Sequence, residues 1–184
     1  MSTTDVGLLV RAAAAGDEDS WNALVDEFTG LIWTVARSFR LDETTSADVV
    51  QECWCRLASN LDRIREPERI AAWLTSTAKH EALRVLRIQD RQRPTDFDDE
   101  RLLGIDDPAD EALIDEECFA ELYDALLVLA PRCQQLLRLL VAEPKIPYED
   151  IADIVGMPVG SIGPTRARCL DKLRDLLQER SVQP

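Results

Sequence analysis

"YEDIADIVGMPVGSIGPTRARCLDKLRDLL", residues 148–177, decides how the chain is read. "YEDIADIVG" is a short helix that Gly156 stops, since a helix C-terminus favours a residue able to turn left-handed. The turn "GMPVG" follows, and then a longer helix runs to about residue 178. Ser161 is placed to cap it, with the Gly163 amide in reach, and Pro164 is tolerated because first-turn amides lack intrahelical partners. Ile162, Cys169, Leu170, Leu173, Leu176 and Leu177 form an inward face. Thr165, Arg168 and Lys172 share another. This is the helix-turn-helix plan, whose second helix enters a major groove; on spacing alone, an αα-hairpin used only for packing stands beside it.

Just upstream, Pro131 opens a helix with Leu136, Leu137 and Leu140 as its stripe. Further back the charge changes abruptly. The chain of 184 residues carries a formal charge of −14. Residues 1–93 hold 12 bases and 15 acids, residues 121–184 hold 8 bases and 9 acids, and residues 94–120 hold one base and 11 acids. That acidic stretch, "PTDFDDERLLGIDDPADEALIDEECFA", has the composition of an extended linker. Its last part, from about residue 110, starts the next helix. The expected fold is all-α: two small, near-neutral helical domains, 1–93 and 121–184, joined by an acidic tether over 94–120. A near-neutral domain can still gather positive charge on one face.

The first half reads as four helices. "DVGLLVRAAAA" begins at a capping Asp5 and stops at Gly16. Asp19 or Ser20 caps the next, with Leu24, Phe28, Leu31, Ile32, Val35 and Phe39 recurring in threes and fours. Thr45 and Asp48 resemble a capping box at the start of the third. There Val50, Cys53, Trp54 and Leu57 face inward, and Asp48, Gln51, Glu52 and Arg56 outward. "DRIREPER" interrupts, because Pro67 disfavours helix at Glu66. The fourth helix buries Ile70, Leu74, Thr77, Ala78, Val85 and Ile88. On its other side, alternating steps of three and four join Arg69, Trp73, Ser76, His80, Arg84, Arg87 and Arg91 in one stripe with no carboxylate among them. A solvated face is the plain account of such a stripe. In so acidic a chain, a tryptophan among cations suits nucleic-acid backbone contact with base stacking.

Composition narrows the classes. No run of about 18 apolar residues is present, and the N-terminus lacks a basic region before its short apolar patch, so a cytoplasmic protein without membrane insertion is expected. The 5 cysteines include no CxxC pair, and Cys53 and Cys55 point apart on a helix. With a single histidine there is no zinc set, so five reduced, mostly buried thiols, no metal and no cofactor are expected. No glycine-rich phosphate loop and no nucleophile–histidine pairing occurs, which argues against an enzyme.

Both halves together resemble an extracytoplasmic-function (ECF) sigma factor, a promoter-specificity subunit of bacterial RNA polymerase, over nearly the whole chain. "SWNALVDEFTGLIWTVARSF" and "ADVVQECWCRL" look like sigma region 2, "AAWLTSTAKHEALRVLR" like its DNA-melting end, and residues 148–177 like region 4. The resemblance implies that Asp48, Gln51 and Glu52 contact the β′ clamp helices of core polymerase, with the β flap a further partner surface. It implies that the loop 62–69, with Arg63, Arg65 and Arg69, and the helix residues Trp73, Ser76, Lys79, His80, Arg84 and Arg87 hold the opened −10 element. Ser161, Thr165, Arg166, Arg168 and Lys172 would read the −35 element. An anti-sigma protein is a further partner of this kind of chain. His80 stands where such proteins usually have asparagine, so the contact there could become pH-sensitive. Gly163, Pro164 and Arg166 also depart from the usual start of the recognition helix, so the −35 preference does not carry over. A helix-turn-helix repressor or activator working without polymerase is the alternative, and a helical adaptor a third; neither gives the "DVVQECWCRL" run and the arginine stripe a joint task.

Overall fold

The computed structural model describes residues 3–92 and 116–181, and every regular element among them is helical. These residues fall into two compact units. The acidic stretch expected as a linker lies mostly outside the described residues.

The first unit holds α1 (Thr3–Ala14), α2 (Glu18–Ser38), α3 (Glu43–Asn60) and α4 (Ile70–Gln92), with single 3-10 turns at Leu61–Arg63 and Pro67–Arg69. On α2, Leu24, Phe28, Leu31, Ile32 and Val35 are all buried, as their spacing predicts. Each such side chain contributes about 1.5–3 kcal/mol on leaving water. They meet Val49, Cys53 and Leu57 of α3 and Ile70, Leu74, Ala78 and Ala82 of α4 across the α2–α3, α2–α4 and α3–α4 contacts. The inward position of α3 is Val49; Val50 and Trp54 are half-buried, the Trp54 ring meeting Trp21 edge-on at 5.7 Å. On α4 the stripe ends early, and Ile88 is 40% exposed. Between residues 83 and 91 no side chain of α4 is fully buried.

Caps sit earlier than expected. Asp17, not Asp19 or Ser20, caps α2 by accepting from the Ser20 amide. Asp42 caps α3, accepting from the Thr45 amide and hydroxyl, both at 2.8 Å. Each carboxylate answers a first-turn N–H that has no intrahelical partner. The Thr45 amide is the first cause that holds the Asp42 carboxyl below its ordinary value. A carboxyl stabilised as the anion in the fold adds stability above its unfolded pKa and loses it as pH falls. Asp42→Ala should therefore lower stability by about 1 kcal/mol at pH 7. The difference from the unsubstituted chain should shrink below about pH 4, which urea unfolding at both pH values checks. A Cβ at Gly7 would lie 2.8 Å from Oε1 of Glu68, the mobile end of a half-exposed side chain. That carboxylate reaches over α1 to accept from Arg11 at 2.9 Å.

The second unit holds α5 (Glu116–Val128), α6 (Pro131–Leu140), α7 (Tyr148–Val155) and α8 (Val159–Ser181). α8 packs on α5, α6 and α7. Ala125, Leu129, Leu136, Leu139, Ile151, Ile154 and Ile162 form the core. Leu139, rather than Leu137 or Leu140, shares the α6 stripe with Leu136, and Leu170 is 37% exposed. Gln134 is buried with them and donates through Nε2 to the carbonyls of Leu127 and Leu129, closing the end of α5. Gly156 takes the left-handed conformation, φ +67°, that ends α7. α8 begins at Val159, so Ser161 lies inside its first turn rather than at the cap, its amide donating to the Pro158 carbonyl.

The cysteine expectation is overturned here. Cys133 of α6 and Cys169 of α8 are joined in a disulfide, with Cα atoms 5.5 Å apart and a sequence separation of 36. Nothing in local spacing could pair them; the packing of α8 on α6 does. Cys53 and Cys55 are free thiols, one buried and one exposed. Burial, with Glu81 nearby, pushes the Cys53 thiol up to about 12, leaving it inert at neutral pH. The side chain of Cys118 lies outside the described residues.

Candidate nucleic-acid interface

Two surfaces, one on each unit, gather the residues that the sequence singled out. On the first unit, α4 turns its apolar stripe to α2 and α3 and so presents its other side to solvent. Arg69, Ser76, His80, Arg84, Arg87 and Arg91 are all exposed, with Trp73 and Lys79 half-buried beside them. The His80 Nδ1 lies 2.7 Å from the Ser76 carbonyl oxygen. A carbonyl can only accept, so that nitrogen carries the proton. Arg63 and Arg65 are exposed in the segment before α4. Such a surface can meet a phosphate backbone with its guanidiniums and offer Trp73 as a stacking face.

The stripe is not without acids in space. Arg69 pairs with Glu66 at 3.0 Å. Arg84 donates through Nε to Glu81 at 2.6 Å. Glu81 is a buried carboxylate that also takes Arg56 of α3 at 2.7 Å, and Arg56 donates to Glu52 at 2.8 Å. The hydrogen bond that Arg84 donates to Glu81, followed by the charge of Glu81, raises the pKa of Arg84 above its ordinary value. On α3, Asp48 and Gln51 are exposed and Glu52 half-exposed. They line a polar face suited to orienting a charged partner. Sequence reading missed Glu81. Its signal was an acid three residues before an arginine in a basic run, a spacing that places both on one side of a helix.

On the second unit, Ser161, Thr165, Arg168 and Lys172 line one groove of about 430 Å³ with Arg132, Cys133, Met157 and Pro158. Arg166, also exposed, is not among its lining residues. Arg168 is held along the helix, its Nη2 donating to the Thr165 hydroxyl at 3.3 Å and its Nε to the Pro164 carbonyl at 3.4 Å. Arg132, at the start of α6, donates to the Gly156 carbonyl at 3.0 Å and brings a second guanidinium to the groove. It lies 24 residues before its acceptor, so no helical periodicity announces it. Three cations and two hydroxyls around an open concavity suit contacts to phosphate oxygens and to base edges.

Among the described residues, no helix is long and apolar enough to cross a membrane, and no group of three metal-binding side chains occurs.

The Sigma-70 region 2 family matches residues 24–92. That span includes all of α3 and α4. A relative in Haemophilus influenzae, the ECF RNA polymerase sigma-E factor, is 25% identical, the alignment covering 96% of this chain and 94% of the relative. The solved structure of CnrH in complex with the cytosolic domain of CnrY is similar with a TM-score of 0.60 at 21% identity, covering 95% of this chain and 97% of that one. The sigma factor RpoE from Bartonella quintana, solved with the anti-sigma factor NepR, is similar with a TM-score of 0.63 at 20% identity, covering 89% and 98%.

Proposed function

We propose that the chain is an ECF sigma factor that directs bacterial RNA polymerase to promoters, and that its surfaces divide the work. The observation that carries the assignment is the match of residues 24–92, because it holds the polar face of α3 and the basic face of α4 together in one helical unit. Asp48, Gln51 and Glu52 dock on the β′ clamp helices of core polymerase. Trp73, Ser76, Lys79, His80, Arg84 and Arg87, with Arg63, Arg65 and Arg69, hold the opened −10 strand. Cations fix its backbone while unstacked bases are read in pockets. Ser161, Thr165, Arg166, Arg168 and Lys172 read the −35 element.

We divide the chain as a −10 and docking domain over 1–93, an acidic linker over 94–120 and a −35 domain over 121–184. The β flap is the polymerase surface for the last of these. Neither DNA contact needs to be tight alone. Once core polymerase fixes both domains, the second contact is intramolecular and gains a high effective concentration. The chemistry of RNA synthesis stays with the polymerase, and the chain works in the cytoplasm, where the polymerase is. One solved relative was captured with an anti-sigma factor, NepR, and the other with the cytosolic domain of CnrY, which supports an anti-sigma protein as a partner of this chain too.

Run-off transcription tests the assignment, using the purified chain, sigma-free core polymerase and fragmented genomic DNA from the source organism. Discrete new starts that share two upstream sequence blocks are expected. Duplex binding without any initiation, beside a control sigma that works, would instead favour the repressor reading.

A further inference from the structure

Glu81 is the most unusual side chain of the first unit. Its carboxylate is only 4% exposed, yet it faces two guanidiniums from two helices, Arg56 at 2.7 Å and Arg84 at 2.6 Å, each about half-exposed. Packing α3 on α4 does not require a charge there. An apolar residue of similar volume in place of a buried ion pair is often neutral or stabilising. A buried acid kept among two arginines therefore needs a purpose beyond packing.

We propose that Glu81 is a positioning residue, which sets the Arg84 guanidinium for the −10 strand. The bond to Glu81 uses Nε of Arg84. It leaves the two Nη amino groups, the fork that matches phosphate oxygens, to a side chain that is 53% exposed. An arginine fixed beforehand loses less rotamer freedom when DNA arrives. The same carboxylate grips Arg56, and Arg56 grips Glu52, so one chain of four alternating charges runs from the docking face of α3 to the DNA face of α4. Glu81 itself touches neither polymerase nor DNA in this arrangement. The proposal rests on the assignment of α4 to the −10 strand.

The test uses the full-length chain assembled with core polymerase and a forked promoter DNA carrying the upstream blocks found by transcript mapping. Four chains are compared: unsubstituted, Glu81→Gln, Arg84→Ala and the double variant, with Trp73→Ala as a separate report on the −10 assignment. Glu81→Gln keeps the shape of the side chain and removes its charge. It should weaken forked-DNA binding about threefold to tenfold while core affinity stays unchanged. In the Arg84→Ala background it should do nothing more. Equal damage with and without Arg84 would show a packing role through Arg56 and overturn the proposal, as would an Arg84→Ala chain with unaltered DNA binding. If Trp73→Ala weakens the fork in that last case, the −10 assignment survives and only the role of Glu81 falls.

Discussion

Reducing the Cys133–Cys169 disulfide should lower the stability of the second unit by about 3–4 kcal/mol. The bond closes a loop with 36 residues of sequence separation. Chain-entropy arguments give about 3 kcal/mol for a 15-residue loop and about 4.7 kcal/mol for one of 100. The unit is small, and domains near 60 residues bury little surface from which to draw stability. Net stabilities are about 5–15 kcal/mol even for larger domains, so the loss is a large share. Bulk tryptophan fluorescence would miss it, since all four tryptophans, Trp21, Trp33, Trp54 and Trp73, lie in the first unit. Amide hydrogen exchange reads each unit separately. On addition of a dithiol reductant, amides in α6 and α8 that exchange by unfolding of the unit should lose about 100-fold to 1,000-fold of protection, while those of α2 and α4 hold as an internal control. A chain with both cysteines changed to alanine should show the low protection without reductant. Unaltered exchange in α6 and α8 would mean that the bond adds nothing to the fold.

This bond also marks where sequence reading stops. Among the described residues, helix-period patterns placed α1 to α4 and α6 to α8, and gave α5 only as a start from about residue 110 where the helix is described from Glu116; the caps slipped. Asp17 and Asp42 do the capping that Asp19 or Ser20 and Thr45 seemed fit to do, because any short polar side chain ahead of a helix can answer a first-turn amide. The inward faces were legible where helices have neighbours on them, as for Leu24 to Val35 on α2. They failed at Ile88 and Leu170, which are 40% and 37% exposed although their spacing is right. What sequence could not hold was pairing across distance. Cys133 with Cys169, Arg132 with the Gly156 carbonyl, and Arg56 with Glu81 each join residues at least 24 apart in sequence, and only tertiary packing selects them. The exposed residues of α4, by contrast, follow from periodicity alone. A helix that buries one stripe must present the other.

Arg168 and Lys172 give the second large effect, and they should differ in kind. Both line the groove of the second unit and both are exposed. Arg168 is braced by Thr165 and the Pro164 carbonyl, which presets a planar fork along the helix. A fork so held suits paired acceptors on one base, such as O6 and N7 of guanine, whereas a lysine one turn further on acts as a point charge on phosphate. Arg168→Ala should therefore cost about 1–3 kcal/mol at the preferred −35 block, roughly fivefold to 150-fold, and far less on a scrambled block. Lys172→Ala should weaken both blocks alike and reduce the slope of log affinity against log salt by about 0.9. Holoenzyme binding to the two duplexes across a salt series reads both quantities in one experiment. If the roles are reversed, with sequence preference vanishing on loss of Lys172 and the salt slope falling on loss of Arg168, then α8 lies in the groove rotated from the face proposed here. Arg132 would then become the better candidate for a base-reading guanidinium, since it reaches the same groove from α6. If neither substitution alters binding, the groove is not the −35 surface, and the exposed Arg166 outside it is the residue to change next.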